Sequence, residues 1–368
     1  MQNDLFKFLE ANPNLSEMLT LFLGLVSSFL ITRLLIPEII KISDAYNLHD
    51  QPNSRKIHTQ KIPTFGGVAI FVGFIISTMV WAFSHHISNI QYLIGAIIII
   101  VVVGMRDDFL SLRANLKLLG QSGASFLIML FGETRFLSLH GFLGINELPV
   151  FWSFLVTWFT IIVITNAFNL IDGINGLAGT VALIVFGFYG TWFFYYENHI
   201  MTVLCFSLFG AVLGFLKYNY QGKIFMGDTG SLLLGFLAAA TTIIFINENA
   251  HQVHGSFHFT NSISIASAVL VYPLFDTIRV FVIRLSEKRS PFSADRNHIH
   301  HWLLRGGFSH LQATFLVCGV TLGFLVFGFV SNGFSDNYLI PFIILIAFLL
   351  VTFLVKKTKE KEFKNLKK

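Results

Sequence analysis

The chain has 368 residues, of which 54% are hydrophobic and only 12% charged, with a formal net charge of +5. An ordinary soluble domain carries roughly 25% charged residues, so this composition excludes one. It also leaves no basic module for a nucleic-acid partner. Two cysteines, Cys205 and Cys318, both in apolar runs, exclude a disulfide scaffold and a Cys-based metal site.

Repeated apolar stretches of about 20 residues read as membrane-spanning helices. The opening segment "MQNDLFKFLEANPNLSEM" has no basic region ahead of its first apolar run, so it does not read as a cleaved signal peptide. About eleven spans follow, at 18–37, 64–83, 89–106, 116–132, 151–168, 176–195, 200–216, 229–247, 262–283, 311–331 and 338–355. The connections that lie on the same side as the C-terminal tail, together with that tail, hold 21 of the 25 basic residues. Basic residues stay on the cytoplasmic side. The N-terminus is therefore expected outside and the C-terminus in the cytoplasm. The expected fold is all-α: one integral membrane helical bundle over 1–368, with a His-containing cytoplasmic loop at 284–310 and a basic tail at 356–368. That tail would lie on the anionic inner leaflet.

Carboxylates gather at the cytoplasmic ends of the spans. In "GMRDDFLSLRANLKLLGQ", Asp107 and Asp108 close the third span. Adjacent helical residues point about 100° apart, so the two have different jobs. A close pair also raises its own proton affinity. One holds a cation or accepts a proton while the other is oriented by hydrogen bonds; otherwise the pair is a polar helix end beside Arg106. Lys117 opens the next span, where its cation can meet a phosphate.

In "NAFNLIDGINGLAG", Asn166, Asn169 and Asp172 are spaced i, i+3, i+6, which stacks them on one helix stripe. Gly173 and Gly176 then end the helix and admit a ligand close to the backbone. Hard oxygen ligands beside such a backbone suit Mg²⁺ and phosphate. A plain polar turn would explain the glycines but not the stripe. In "FMGDTGSLLLG", Asp228 begins the eighth span between glycines. It is either a ligand-facing carboxylate at an anion-favouring helix start or a simple N-cap.

The segment "SPFSADRNHIHHWLL" brings Arg296, His298, His300 and His301 together. Such a cluster could be a metal site, a pH sensor or a diphosphate-binding basic patch. The spacing is not that of a zinc finger, which favours anion contact. All these motifs lie on one membrane face, at the ends of different spans. A transporter, the rival class, would place its ionisable groups near the midplane.

Five stretches, "HDQPNSRKIHTQKIPTFGGVAIF", "DDFLSLRANLKLLGQ", "NAFNLIDGINGLAG", "FMGDTGSLLLG" and "SPFSADRNHIHHWLL", carry a family resemblance. In this order, across most of the chain, they resemble the polyprenyl-phosphate N-acetylhexosamine-1-phosphate transferases of bacteria. The forms "DRNHIHH" and "QPNSRKIH" look like the branch that uses UDP-N-acetylhexosamines for O-antigen, teichoic acid or related polymers. The muramoyl-pentapeptide branch typically has consecutive histidines here, a run that Ile299 interrupts.

The resemblance implies transfer of a sugar-1-phosphate from a UDP-sugar to undecaprenyl phosphate, releasing UMP. It implies a bacterial inner-membrane enzyme in the lipid bilayer, with its active site on the cytoplasmic face, and it is compatible with a homodimer. Asp107 and Asp108 match the acidic pair linked to the lipid phosphate. Asp228 matches the Mg²⁺ ligand, where Mn²⁺ would also serve. Asn169 and Asp172 match positions near nucleotide and metal, so Asp172 is both a catalytic and a metal candidate. Lys117 looks like the phosphate-facing lysine. His298, His300 and His301 match the sugar-diphosphate loop, with Arg296 beside them and Asn166 completing the substrate stripe. Asp50 matches an acidic position in the first cytoplasmic loop, and Lys56 and Lys61 both lie near that loop's lysine. Many relatives carry Asp-Gly-x-Asp-Gly where this chain has Asp172-Gly-Ile-Asn175-Gly; Asn175 keeps an oxygen but loses a charge, so it is expected to orient substrate.

Overall fold

A computed structural model describes residues 13–46, 48–50, 62–82, 89–251, 257–289 and 297–366. In chain order the elements are α1 (Pro13–Ala45), the two-residue strands β1 (His49–Asp50) and β2 (Ile62–Pro63), α2 (Gly66–Ala82), α3 (Ile90–Leu110), α4 (Ala114–Leu130), α5 (Val150–Ile171), α6 (Leu177–Tyr195), α7 (His199–Tyr220), α8 (Gly227–His251), α9 (Ser262–Val269), α10 (Val271–Ser286), α11 (Ile299–Arg305), α12 (His310–Val330) and α13 (Asp336–Leu366). One 3-10 turn, Phe142–Gly144, precedes α5. The fold is all-helical apart from the small antiparallel β1–β2 pair.

Among the described residues, α1, α5, α6, α7, α8, α12 and α13 are the 7 helices long and apolar enough to cross a bilayer. The pair α9–α10, bent by 77°, makes up to 8. That count is lower than eleven, although each of the eleven stretches does form a helix or a helix pair. The reasons are local. α2 and α4 have 17 residues each, α4 contains Lys117, and α3 ends in Arg106, Asp107 and Asp108. The expected continuous span at 262–283 is broken at Leu270, whose φ and ψ are −100° and 11°. Pro273 in the first turn of α10 has no N–H to give to Val269, so the helical ladder loses a bond at this point.

The chain divides into two compact units, Met1–Ser88 with Phe186–Met226, and Asn89–Val185 with Gly227–Lys368. In the first, α1 packs on α2 and α7, and α2 on α7. Hydroxyls join α1 to α2: Ser27 Oγ donates to Ser77 Oγ at 2.9 Å, and Thr32 Oγ1 to the Ala69 carbonyl at 3.2 Å. Phe225 N donates to the Pro63 carbonyl, and Gly66 N back to the Phe225 carbonyl. These two bonds tie the start of α2 to the segment that leads into α8.

In the second unit α8 is the axis, packed against α3 and α5, while α4 bridges α3 and α5. In its most apolar stretch α8 is 94% buried, against 17% for α13. Outward-facing side chains of this unit such as Phe151, Val330 and Phe353 are apolar yet 70%, 80% and 67% exposed. A water-soluble surface would not carry so many; a lipid-facing one would.

Candidate active site

Two helix C-termini, those of α3 and α5, and two helix N-termini, those of α4 and α8, meet at one end of the second unit. The antiparallel succession of helices brings together residues that lie up to 121 positions apart in sequence. At the centre stands Lys117. Its Nζ lies 2.8 Å from Asp107 Oδ2, 2.6 Å from Asp228 Oδ1 and 3.4 Å from Asn169 Oδ1. Asn169 in turn donates through Nδ2 to Asp228 Oδ1 and, at 2.9 Å, to Ser231 Oγ. The amide therefore fixes the direction of the Asp228 carboxylate.

The acidic pair divides its labour by geometry. Asp107 Oδ1 accepts from the Leu112 N–H at 2.6 Å, closing the turn between α3 and α4, and its other oxygen faces Lys117. Asp108 points elsewhere. It accepts from the N–H groups of Asp228 (2.7 Å) and Thr229 (3.0 Å) and from Thr229 Oγ1 (2.6 Å). It thus satisfies donors of the first turn of α8 that have no partner within the helix. This cap from another helix frees Asp228 from that role. The close approach needs Gly104, because a Cβ there would lie 2.5 Å from Thr229 Cα. Burial pushes the Asp108 carboxyl, beyond the apolar run of α3, up to about 7 against the pull of these bonds.

The polar stripe on α5 is split. Asn166 forms a reciprocal pair with buried Gln121 of α4, Nδ2 to Oε1 at 2.8 Å and Nε2 to Oδ1 at 3.4 Å, and also donates to the Ile162 carbonyl. Its amide is thus used in joining α4 to α5. Asn169 belongs to the Lys117–Asp228 centre. Asp172 caps the end of α5; burial first, then the Asp228 and Asp108 carboxylates, hold its carboxyl well above the usual range. Asn175 is anchored through its backbone: its N–H lies 3.3 Å from His310 Nδ1, and its carbonyl accepts from Thr314 Oγ1.

The histidines are less exposed than a loop patch would be. His298 and His300 are buried, and α11 places the His300 and His301 rings 4.3 Å apart. A Cβ on Gly173 would overlap His300 Nε2, so the α5–α6 turn and the His motif meet edge to backbone. Burial, then neighbouring His301, pushes His300 down to about 3. His300 is therefore neutral and can meet a ligand only as a hydrogen-bonding group. Arg296, Lys56 and Lys61 lie outside the described residues. Asp50 lies in β1, paired with Ile62, and its side chain is likewise outside the description.

Among the described residues no three His, Cys, Asp or Glu side chains converge tightly enough to hold a metal unaided. Mg²⁺ seldom asks for that: it keeps several waters and binds through one or two carboxylates plus substrate phosphates. Asp172 and Asp228 are the carboxylates that could form such a half-site: after burial, the Asp228 charge is the next cause of the raised Asp172 carboxyl, and a divalent cation would relieve that repulsion.

Comparison with known proteins finds relatives over most of the chain. The glycosyl transferase family 4 pattern matches residues 90–246, which include Lys117 and every carboxylate of the centre. The undecaprenyl-phosphate alpha-N-acetylglucosaminyl 1-phosphate transferase of Salmonella typhi is 30% identical over 345 residues, covering 92% of this chain and 90% of that protein. A probable undecaprenyl-phosphate N-acetylglucosaminyl 1-phosphate transferase of Bacillus subtilis is 31% identical over 308 residues, 82% of each. The chain belongs to this transferase family. The same-named protein of Escherichia coli K12 is 29% identical over 345 residues, covering 92% of this chain and 90% of that protein.

Within this transferase several residues that shape the site were not singled out in the sequence. Asp276 is fully buried; it lies 2.8 Å from His298 Nδ1, accepts from the Ile299 N–H at 2.9 Å and faces Arg279 at 3.0 Å. It fixes the His298 ring and the start of α11 together. A charged residue inside an apolar run is the signal that could have found it. Gln121, Thr229, Ser231 and His310 had none, because each acts through a partner distant in sequence.

Proposed function

We propose that the protein transfers N-acetylhexosamine-1-phosphate from a UDP-sugar to undecaprenyl phosphate, giving undecaprenyl-diphospho-sugar and UMP, the first membrane step of cell-surface polysaccharide synthesis. The observation that carries this reading is Lys117 held between Asp107, Asp228 and Asn169 at the meeting point of four helix ends, in a chain of this family. An oxygen of the lipid phosphate attacks the sugar-bearing phosphorus; the new P–O bond forms, the diphosphate bridge breaks, and UMP leaves with the electron pair. Positioning and charge stabilisation dominate such transfers.

The difficulty is that two anions must approach. Lys117 offers an ammonium that a phosphate can share with Asp107 and Asp228. Asn169 holds Asp228 toward the centre, and Asp108 holds the first turn of α8 so that Asp228 keeps its place. His298, oriented by Asp276, and neutral His300 contact the sugar diphosphate as hydrogen-bonding groups. Asp228 and Asp172 would hold Mg²⁺, or Mn²⁺, which when bound would neutralise the diphosphate and the leaving UMP.

The same reading places the protein in the bacterial cytoplasmic membrane with eleven crossings. The N-terminus is outside, and site and C-terminus are on the cytoplasmic face. The seven long apolar helices, α2, α3, α4 and the bent α9–α10 pair supply that number, and the basic connections support the orientation. In detergent with UDP-N-acetylglucosamine, undecaprenyl phosphate and Mg²⁺, Asp228→Ala and Asp108→Ala are expected to cut UMP release roughly 100-fold or more. Turnover near wild type by either folded variant overturns the assignment. Competition between UDP-N-acetylhexosamines and UDP-muramoyl-pentapeptide then identifies the donor.

A further inference from the structure

The second unit contains a cavity of about 560 Å³ that the proposed reaction does not use. Its walls come from α10, α11, α12 and α13, and they are almost wholly apolar: Val271, Leu303, Val317, Phe324 and Ala347 are its buried face. Leu316, Leu350 and Phe353 form a rim that is 42%, 45% and 67% exposed. In a chain that spans a membrane, such a rim opens to lipid tails rather than to water. Aliphatic chains are the apolar ligands available there.

One end of the cavity is different. Lys357 and Thr358 of α13 line it there. Beside them the Arg305 guanidinium lies 4.7 Å, and the Lys359 ammonium 5.7 Å, from the ring centroid of Trp302. An apolar channel that ends at the Lys357 ammonium, with two further cations gathered round the nearby Trp302 ring, has the polarity of an anionic amphiphile. We propose that this cavity binds an anionic phospholipid of the surrounding leaflet, one acyl chain between α10, α12 and α13 and the headgroup phosphate at Lys357 and Thr358, within the field of Arg305 and Lys359.

The position argues against the prenyl acceptor as occupant. Ile299, Leu303 and Gly306 line the cavity at i, i+4 and i+7, one face of α11 and the residue beyond it. His300, turned against Gly173, occupies another face. A phosphate held at Lys357 is thus separated by α11 from the carboxylate centre. Two walls of the cavity nevertheless reach the histidines directly. Tyr272 lines the cavity, and its hydroxyl lies 3.3 Å from His300 Nδ1; the Ile299 N–H donates to Asp276, the partner of His298. A bound chain would brace Tyr272 and α11, and through them the His motif.

The binding claim does not depend on the proposed reaction and is tested without it. Purified full-length protein is delipidated, titrated with palmitoyl-oleoyl phosphatidylglycerol or phosphatidylcholine, and read by native mass spectrometry and by thermal unfolding. Phosphatidylglycerol is expected to be retained at least tenfold more than phosphatidylcholine and to raise the unfolding temperature further. The double variant Lys357→Glu/Lys359→Glu should lose that preference, and Ala347→Trp should lose retention of both lipids. Should Ala347→Trp fail to fold, the charge variant alone decides. Equal retention of the two lipids, or an unchanged preference in the charge variant, overturns the proposal. So does one-for-one displacement of phosphatidylglycerol by undecaprenyl phosphate, which would put the acceptor in this cavity.

Discussion

At the scale of single residues, neighbouring groups of the same type do different work because their partners differ. Asp107 and Asp108 are adjacent, yet one faces Lys117 and the other caps α8. Asn166 and Asn169 share a stripe, yet one pairs with Gln121 and the other orients Asp228. The same logic separates Asp172 from Asn175. Asp172 faces two carboxylates in a site short of positive charge, whereas Asn175 is held through its backbone. Asn175→Asp is therefore expected to keep most UMP release and Asp172→Asn to lose most of it; the reverse ranking would mean the two roles are exchanged. Gly173→Ala puts a methyl where His300 now sits. It is expected to lower turnover about tenfold or more by displacing the ring, at a stability cost of about 1–3 kcal/mol. Turnover and thermal unfolding measured on the same preparation separate the two effects.

At the scale of elements, the site depends on how closely α3 and α8 approach. Gly104 permits the contact, and Asp108 converts it into three hydrogen bonds to the first turn of α8. Gly104→Val should push the helices apart, remove those bonds and misplace Asp228. The expected outcome is loss of turnover together with a lowered unfolding temperature; a variant of normal stability and activity would show that the contact is dispensable. The break at Leu270 is a second element-level device. It turns α10 so that Asp276 reaches His298, a contact that a straight helix over 262–283 would not be built to make.

For the whole molecule, a centre with two carboxylates to offer a metal and one lysine cation between its anions is expected to need an added divalent ion. Excess chelator should stop UMP release, and Mg²⁺ or Mn²⁺ should restore it; full activity in chelator would remove the metal from the reading. The sequence by itself determined the solvent this protein lives in. An apolar fraction this high, spread over repeated long stretches, can only be buried in lipid, so the helical class follows from the need to satisfy backbone groups there. It also determined the residue types at each span end, because carboxylates, amides and glycines beside apolar runs stand out against their surroundings. The tertiary structure alone decided which of them meet. Asp108 capping α8, Asn166 paired to Gln121, Asp276 gripping His298 and His300 lying on Gly173 are contacts between one helix or turn and another. Periodicity within one helix fixes a direction around that helix, and only the packing of its neighbours fixes what lies in that direction.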